Sequence, residues 1–262
     1  MSNDSVSAAH GACDCVLGIP FFTGTVSEAV EHHARQGGYV VIPAAPALLK
    51  LRYDEEYRRA MQNADLALAD SGLLVLLWRL ATGRRLEKIS GISYFKCLFE
   101  RGEIQAGQNT FWIFASDVAK EKALGWLAER GLPVEEKNCF VASAPPSTSQ
   151  DYAILVRIEE DKPKHLVIAM AGGGQEKLAL YLRDYLLYRP SIHCIGAALG
   201  FLSGDERIMP EWAERSHMGW LIRLFAQPRM FFPRIGIAFA LIRMVFKYRS
   251  ELPDLKKRWA DI

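Results

Sequence analysis

Short β-branched or aromatic runs alternate with longer helix-spaced segments along most of the chain. Tyr39–Ile42 (YVVI), after Gly37-Gly38, reads as a buried strand, and Pro43 and Pro46 turn the chain into a loop at its end. Ala47–Asn63 has helical spacing. Ala64–Leu68 is a second short strand that closes on Ala69-Asp70-Ser71-Gly72. Leu73–Leu80 is helical again, Gly83–Gly91 is a basic turn region, and Ile92–Arg101 is a helix. Then strand Thr110–Phe114 leads through Ala115-Ser116-Asp117 into a helix over 118–130, with Ser116 or Asp117 as its candidate N-cap. Strand Asn138–Ala142, loop Ala144–Ser149 and helix Tyr152–Glu160 follow. Strand His165–Met170, a glycine run and helix Gln175–Leu187 come next, and strand Ser191–Ala197 closes the series. Strands joined by helices imply right-handed crossovers. The expected class is α/β: a Rossmann-like, mostly parallel sheet flanked by helices.

Composition narrows the picture. Of 262 residues, 50% are hydrophobic and 24% charged, which excludes a disordered or collagen-like chain. The net charge of +2 says little, but the charge is unevenly placed. Between Arg215 and Ser250 there are seven Lys or Arg residues and no Asp or Glu. The character of the chain changes after Gly204. The expected organisation is a flexible N-terminal tail over 1–19, an α/β core over 20–204, and a basic, aromatic, helical C-terminal appendage over 205–262.

The five cysteines are scattered without a CxxC pair, so neither a zinc site nor a disulfide framework is supported. The six histidines lack ligand spacing, and His32-His33 is expected on a solvated helix face. The N-terminus lacks the basic and apolar regions of a secretory signal. No apolar run reaches the roughly 18–20 residues of a membrane span. A soluble or peripheral protein of a reducing cytoplasm is the expectation.

Three strand ends could carry chemistry, because ligands of open α/β sheets bind at the carboxyl ends of strands. At Asp70-Ser71-Gly72, a carboxylate beside a glycine suits a general base on a sugar hydroxyl; its structural alternative is a helix cap. At Gly172-Gly173-Gly174-Gln175-Glu176, backbone amides between a strand and a helix can face a phosphate; the alternative is a tight turn. Ala115-Ser116 is a plain strand–helix junction. The run is neither GxGxxG nor a P-loop, and there is no GxSxG, HExxH or DxD. From Trp212 to Tyr248, cations alternate with Trp, Phe, Leu and Ile. That suits a membrane interface, an arginine clamp on a diphosphate, or a helical cap with a solvated basic face. No nucleic-acid-binding motif accompanies it. Exposed aromatics there would also serve homo-oligomer formation.

Several separated blocks occur in an order that resembles the WecG/TagA/CpsF glycosyltransferases over roughly residues 20–245. They are NADLALADSGLLVLLWRLATG, KISGISYF, VAKEKALGWLAERGL, HLVIAMAGGGQEKL, IGAALGFLSGDERIMPEW and GWLIRLFAQPRMFFPR. The family's glycine–proline–glutamine–glutamate loop is matched by Gly172 to Glu176, with Gly174 in place of proline. Its aspartate–glycine motif is matched by Asp70, with Ser71 before Gly72. Its C-terminal blocks are matched by Pro210 and Trp212 and by Trp220, Arg223 and Leu224.

The resemblance implies an inverting, metal-independent transferase without a cofactor. It would move a sugar from a UDP-sugar donor to a polyprenyl-diphosphate-linked sugar at the inner face of the plasma membrane. Asp70 falls at the family's proposed base. Ser71, Gly72, Ser90, Gly91, Ala115, Ser116, Gly172, Gly173, Gly174, Gln175 and Glu176 fall on substrate-binding blocks. Arg223, Arg229 and Arg234 would meet the diphosphate. The chain departs from the family at Pro43-Ala44-Ala45-Pro46, where threonine and asparagine are usual, and at Ser93, where a carboxylate is usual. It departs again at Leu199-Gly200-Phe201, Ile208-Met209-Pro210 and Ala115-Ser116. These losses imply a changed sugar pocket, or a non-catalytic nucleotide- or lipid-binding component of a polysaccharide assembly. An unrelated Rossmann-type enzyme with a nucleotide cofactor is disfavoured by the missing GxGxxG.

Overall fold

The computed structural model describes residues 13–104, 110–142, 148–204 and 231–256. Among these residues, eight strands form one sheet: β1 (Cys13–Val16), β2 (Ile19–Phe22), β3 (Gly38–Val41), β4 (Leu66–Ala67), β5 (Thr110–Phe114), β6 (Cys139–Val141), β7 (His165–Ala169) and β8 (Ser191–Cys194). The order is β1-β2-β4-β3-β8-β7-β5-β6. Every neighbouring pair is parallel except the β1–β2 hairpin.

The central strands read as continuous apolar runs because helices cover both faces of the sheet. Alternation along them builds two cores. Tyr39, Val41, Phe111, Ile113, Leu166, Ile168 and Ile192 point to one face. There they meet α3 (Glu55–Gln62), α4 (Gly72–Thr82), α8 (Gly174–Tyr185) and α10 (Phe231–Tyr248) through Tyr57, Met61, Trp78, Leu178, Leu241 and Val245. Val40, Leu66, Trp112, Phe114 and Val167 point to the other face. They pack on α1 (Val26–Gln36), α5 (Gly91–Glu100), α6 (Asp117–Ala128) and α9 (Ala198–Leu202). Helix α7 (Thr148–Asp161) lies between β6 and β7 in the chain and packs against α8.

Short polar residues set the helix starts. Ser71, Ser90 and Ser116 each accept the amide three residues on, from Leu74, Ser93 and Ala119. Thr25 and Glu28 form a reciprocal capping box on α1. The single helix expected over Ala47–Asn63 is divided into α2 (Ala45–Leu48), a 3-10 turn over Leu49–Arg52, and α3. The break falls where the Asp54 side chain accepts from Tyr57 N and starts α3 afresh.

Two expectations change. Within the tail expected over 1–19, Cys13–Val16 forms β1 and Leu17-Gly18 turns the chain into β2. Leu17 and Gly18 both have positive φ, 54° and 75°, as a two-residue hairpin turn requires. Their amides donate to Arg249 O and Ser250 O, so the hairpin is fixed by the chain leaving α10. The edge gives no apolar run to read, because β1 alternates the exposed Cys13 and Cys15 with the buried Asp14 and Val16. His33 is the second change. It is buried, not solvated, because α1 turns that side chain onto β8, where Nε2 donates to Ile192 O. The described part of the C-terminal segment is also core material: Leu241, Met244 and Val245 are buried in the same cluster as Trp78.

Candidate functional site

The chain leaves β3 toward α2 on one face and leaves the adjacent β8 toward α9 on the other. That divergence is a topological switch point, the place where an open parallel sheet forms its ligand crevice at the carboxyl edge. The Asp70 loop forms one wall. Ala69 bridges to Lys88 in parallel fashion, and Ile89 N donates to Ala69 O at 3.0 Å. This pairing sets Asp70 beside the Ser90–Gly91 turn. A Cβ on Gly91 would lie 2.8 Å from Ile195 O, so glycine lets α5 begin directly against the end of β8. Asp70, Ser71, Gly72 and Ser90 are all partly exposed there. Ser71, not Asp70, caps α4, so the capping alternative for Asp70 does not hold.

The glycine loop forms the other wall, after β7. With strands about 4.8 Å apart, β7 is three steps, roughly 14 Å, from β4. Gly173 has φ 105° and donates its N–H to Glu176 Oε2 at 2.5 Å. Gln175 Nε2 donates to Glu176 Oε1 at 3.2 Å, and Gln175 Oε1 accepts from Gly196 N at 2.9 Å. Both side chains are buried. Burial pushes the Glu176 carboxyl up from its ordinary range. The Gly173 and Glu176 backbone N–H groups, the Gln175 amide and the Lys50 charge oppose that rise. Gln175 and Glu176 thus hold the loop in shape, and the partly exposed Gly172 and Gly174 present it to the crevice.

Lys50 also reaches the glycine loop. It follows α2 in the 3-10 turn, and its Nζ donates to Gly172 O at 2.8 Å. Its one signal was a lone cation inside the apolar run Ala45–Leu51.

Other expected residues stand elsewhere. Ala115 and Ser116 follow β5, beyond β7, where the Ser116 hydroxyl caps α6. They are not brought to Asp70. The Ser93 hydroxyl donates to Ser90 O at 2.9 Å. Arg223 and Arg229 lie outside the described residues. Arg234 lies on α10, which packs against α4 and α2.

Two concavities, about 290 and 310 Å³, lie at the opposite edge of the sheet and share Tyr188, Arg189 and Pro190. A buried histidine group also stands away from the crevice. Tyr94 Oη lies 3.0 Å from His193 Nδ1, and His193 Nε2 lies 3.1 Å from His165 Nδ1. His165 is the first residue of β7, so this group belongs to the interior and not to the strand ends that form the site.

The family model for the glycosyl transferase WecG/TagA/CpsF family matches residues 15–256. The chain belongs to the WecG/TagA/CpsF glycosyltransferase family. A comparison with curated proteins gives no match. In this family member, the matched span begins within β1 and runs through the last described residues, so the hairpin turn, the crevice and α10 fall within it.

Proposed function

We propose that this glycosyltransferase moves a sugar from a UDP-sugar to a polyprenyl-diphosphate-linked sugar, with inversion, in bacterial surface-polysaccharide or cell-wall polymer synthesis. The observation that carries the reading is Asp70. It stands partly exposed at the end of β4, its capping role taken by Ser71, across the crevice from a glycine loop.

The step is a direct displacement. Asp70 takes the proton of the acceptor hydroxyl as that oxygen bonds to the anomeric carbon. The bond from the anomeric carbon to the diphosphate oxygen breaks, and UDP leaves with the electron pair. The transition state has oxocarbenium character. Backbone amides of Gly172 and Gly174 and the arginines Arg223, Arg229 and Arg234 meet the charge on the departing diphosphate, while the Gly173 N–H stays on Glu176. The chain has no DxD pair to bridge a metal to it.

The membrane reading draws on α4 and α10. Neither helix contains an Asp or Glu, and they pack side by side. Leu76 and Leu80 on α4, and Phe239 and Phe246 on α10, are exposed by 46%, 65%, 67% and 45%. Exposed apolar side chains beside cations suit the headgroup region of an anionic membrane. No helix among the described residues is long and apolar enough to cross one. We therefore place the protein peripherally on the cytoplasmic face, with 205–262 as its membrane-proximal part.

The loop after β3 favours a second reading. Pro43-Ala44-Ala45-Pro46 enters the crevice region without a polar side chain to hold a sugar hydroxyl. A protein that binds nucleotide or lipid within an assembly, without turnover, fits that loss. A donor screen separates the two. Purified protein with a detergent-solubilised polyprenyl-diphosphate-linked sugar is offered a panel of UDP-sugars, with and without EDTA. UDP release with one sugar, equal in EDTA, is the expected result. UDP binding without release from any donor selects the second reading.

A further inference from the structure

We infer that Lys50 is the cation that receives the donor's diphosphate at the glycine loop, an inference that rests on the UDP-sugar reading above. Its position comes from the topology. The chain leaves β3, forms α2 and the 3-10 turn, and so carries Lys50 past the end of β8 to the loop after β7. Lys50 therefore spans the crevice, although it lies more than 100 residues from the glycines in sequence.

The loop is shaped around this side chain. A Cβ on Gly173 would stand 2.0 Å from Lys50 Nζ, and one on Gly172 would stand 3.2 Å from the Ala47 Cβ. The glycines admit a lysine as well as a turn. Lys50 is half-buried, and the bond its ammonium makes there is to a neutral carbonyl, Gly172 O. Among the described residues no carboxylate lies within ion-pair distance of it. Glu176, a buried acid that feels its charge, already has its two oxygens engaged by Gly173 N–H and the Gln175 amide. An ammonium carries three N–H donors, and the Gly172 carbonyl takes one. The others suit the oxygens of a diphosphate, the charged part of a UDP-sugar, as a point charge in a partly dry site.

The competing role is structural: Lys50 as a distant counter-charge for Glu176. Affinities for UDP and for uridine, which lacks phosphate, separate the two in full-length protein. Lys50→Gln keeps a donor for Gly172 O but removes the charge; Lys50→Met removes both; Lys50→Arg keeps the charge. The expected result is at least tenfold weaker UDP binding in Lys50→Gln, uridine within twofold of wild type, and UDP affinity largely restored in Lys50→Arg. Equal UDP affinity in Lys50→Gln and wild type overturns the inference. Equal losses for UDP and uridine also overturn it, since they mark a disturbed fold. Wild-type protein that binds uridine and UDP equally, or binds neither, overturns the donor reading itself.

Discussion

The Gln175 side chain and the Gly196 amide are joined across the end of the sheet: Gly196 N donates to Gln175 Oε1 at 2.9 Å. Gln175 belongs to α8 and Gly196 to the turn after β8, so one side chain fixes the glycine loop against the neighbouring strand end. Its amide nitrogen simultaneously donates to Glu176 Oε1. Gln175→Ala leaves the Gly196 N–H and one Glu176 oxygen without these partners. The expected cost is about 1–3 kcal/mol for the buried Glu176 oxygen and less for the half-buried Gly196 N–H, which water can reach. Urea unfolding checks it, with the midpoint falling and the slope unchanged. Gln175→Glu keeps the acceptor but sets a second carboxylate against Glu176. Its stability deficit relative to wild type should shrink as pH is lowered from 7 to 5; a pH-independent difference from wild type would contradict this account.

Asp70 and Ser71 are adjacent but do different work. Asp70→Asn should lower sugar transfer by about 10²- to 10⁴-fold, the usual worth of a positioned general base, with the unfolding midpoint nearly unchanged. Ser71→Ala should do the reverse. It removes the hydroxyl that accepts from Leu74 N and costs about 1 kcal/mol of stability, with a much smaller loss of transfer. Transfer rates and unfolding curves for the two variants provide the check. Comparable transfer losses in both would show that Asp70 acts through the start of α4.

Much of this arrangement is written in local sequence. The runs at 39–42, 110–114, 165–170 and 191–197 fall on β3, β5, β7 and β8, because strands buried on both faces are short and apolar throughout. Asp70 and the glycine run were legible because each punctuates a strand end. Lys50 was not, since nothing local indicates that α2 crosses β8 to reach Gly172. The β1–β2 hairpin was hidden for a similar reason. Its turn is fixed by Arg249 O and Ser250 O, more than 200 residues away. Gln175 and Glu176 were found by motif, yet their burial and mutual bonding appear only once α8 is packed.

The interior histidines predict acid sensitivity. His33 and His165 are held down to about 3 and about 4 from 6.5, in each case first by burial. For His33, the nearby His165, His32 and Arg189 charges also act downward while the bond to Ile192 O acts upward; for His165 the Lys164 charge acts downward. His193 lies well below the ordinary value, by burial and by its two histidine neighbours. The folded state therefore binds fewer protons than the unfolded state between about pH 4 and 6.5. Stability rises with pH through that window and falls as pH drops through it. Each histidine contributes up to about 1.4 kcal/mol per pH unit there. Urea midpoints at pH 8, 7 and 5 should be similar across the first interval and fall sharply across the second. A flat response down to pH 5 would mean that these imidazoles are charged or hydrated in the folded protein.

The paired helices α4 and α10 make the membrane reading testable without touching the core. Leu76 and Leu80 are one turn apart on α4, while Phe239, Arg243 and Phe246 share a face of α10. Leu80 and Phe239 are the most exposed of these apolar side chains, so replacing either with aspartate removes little core packing. Burying a leucine or phenylalanine side chain contributes about 1.5–3 kcal/mol, and an added carboxylate is repelled by anionic headgroups. Leu80→Asp and Phe239→Asp should each weaken binding to anionic vesicles by tenfold or more, at an unchanged unfolding midpoint. Wild-type binding should also weaken with added salt, through screening of Arg79, Arg243 and their neighbours. Because α4 begins two residues after Asp70, a bilayer on this face would hold the crevice close to a lipid-linked acceptor. The double variant should then lose transfer to an acceptor embedded in vesicles while keeping transfer to a detergent-soluble one. Vesicle binding by the double variant equal to wild type would remove this face from the membrane contact.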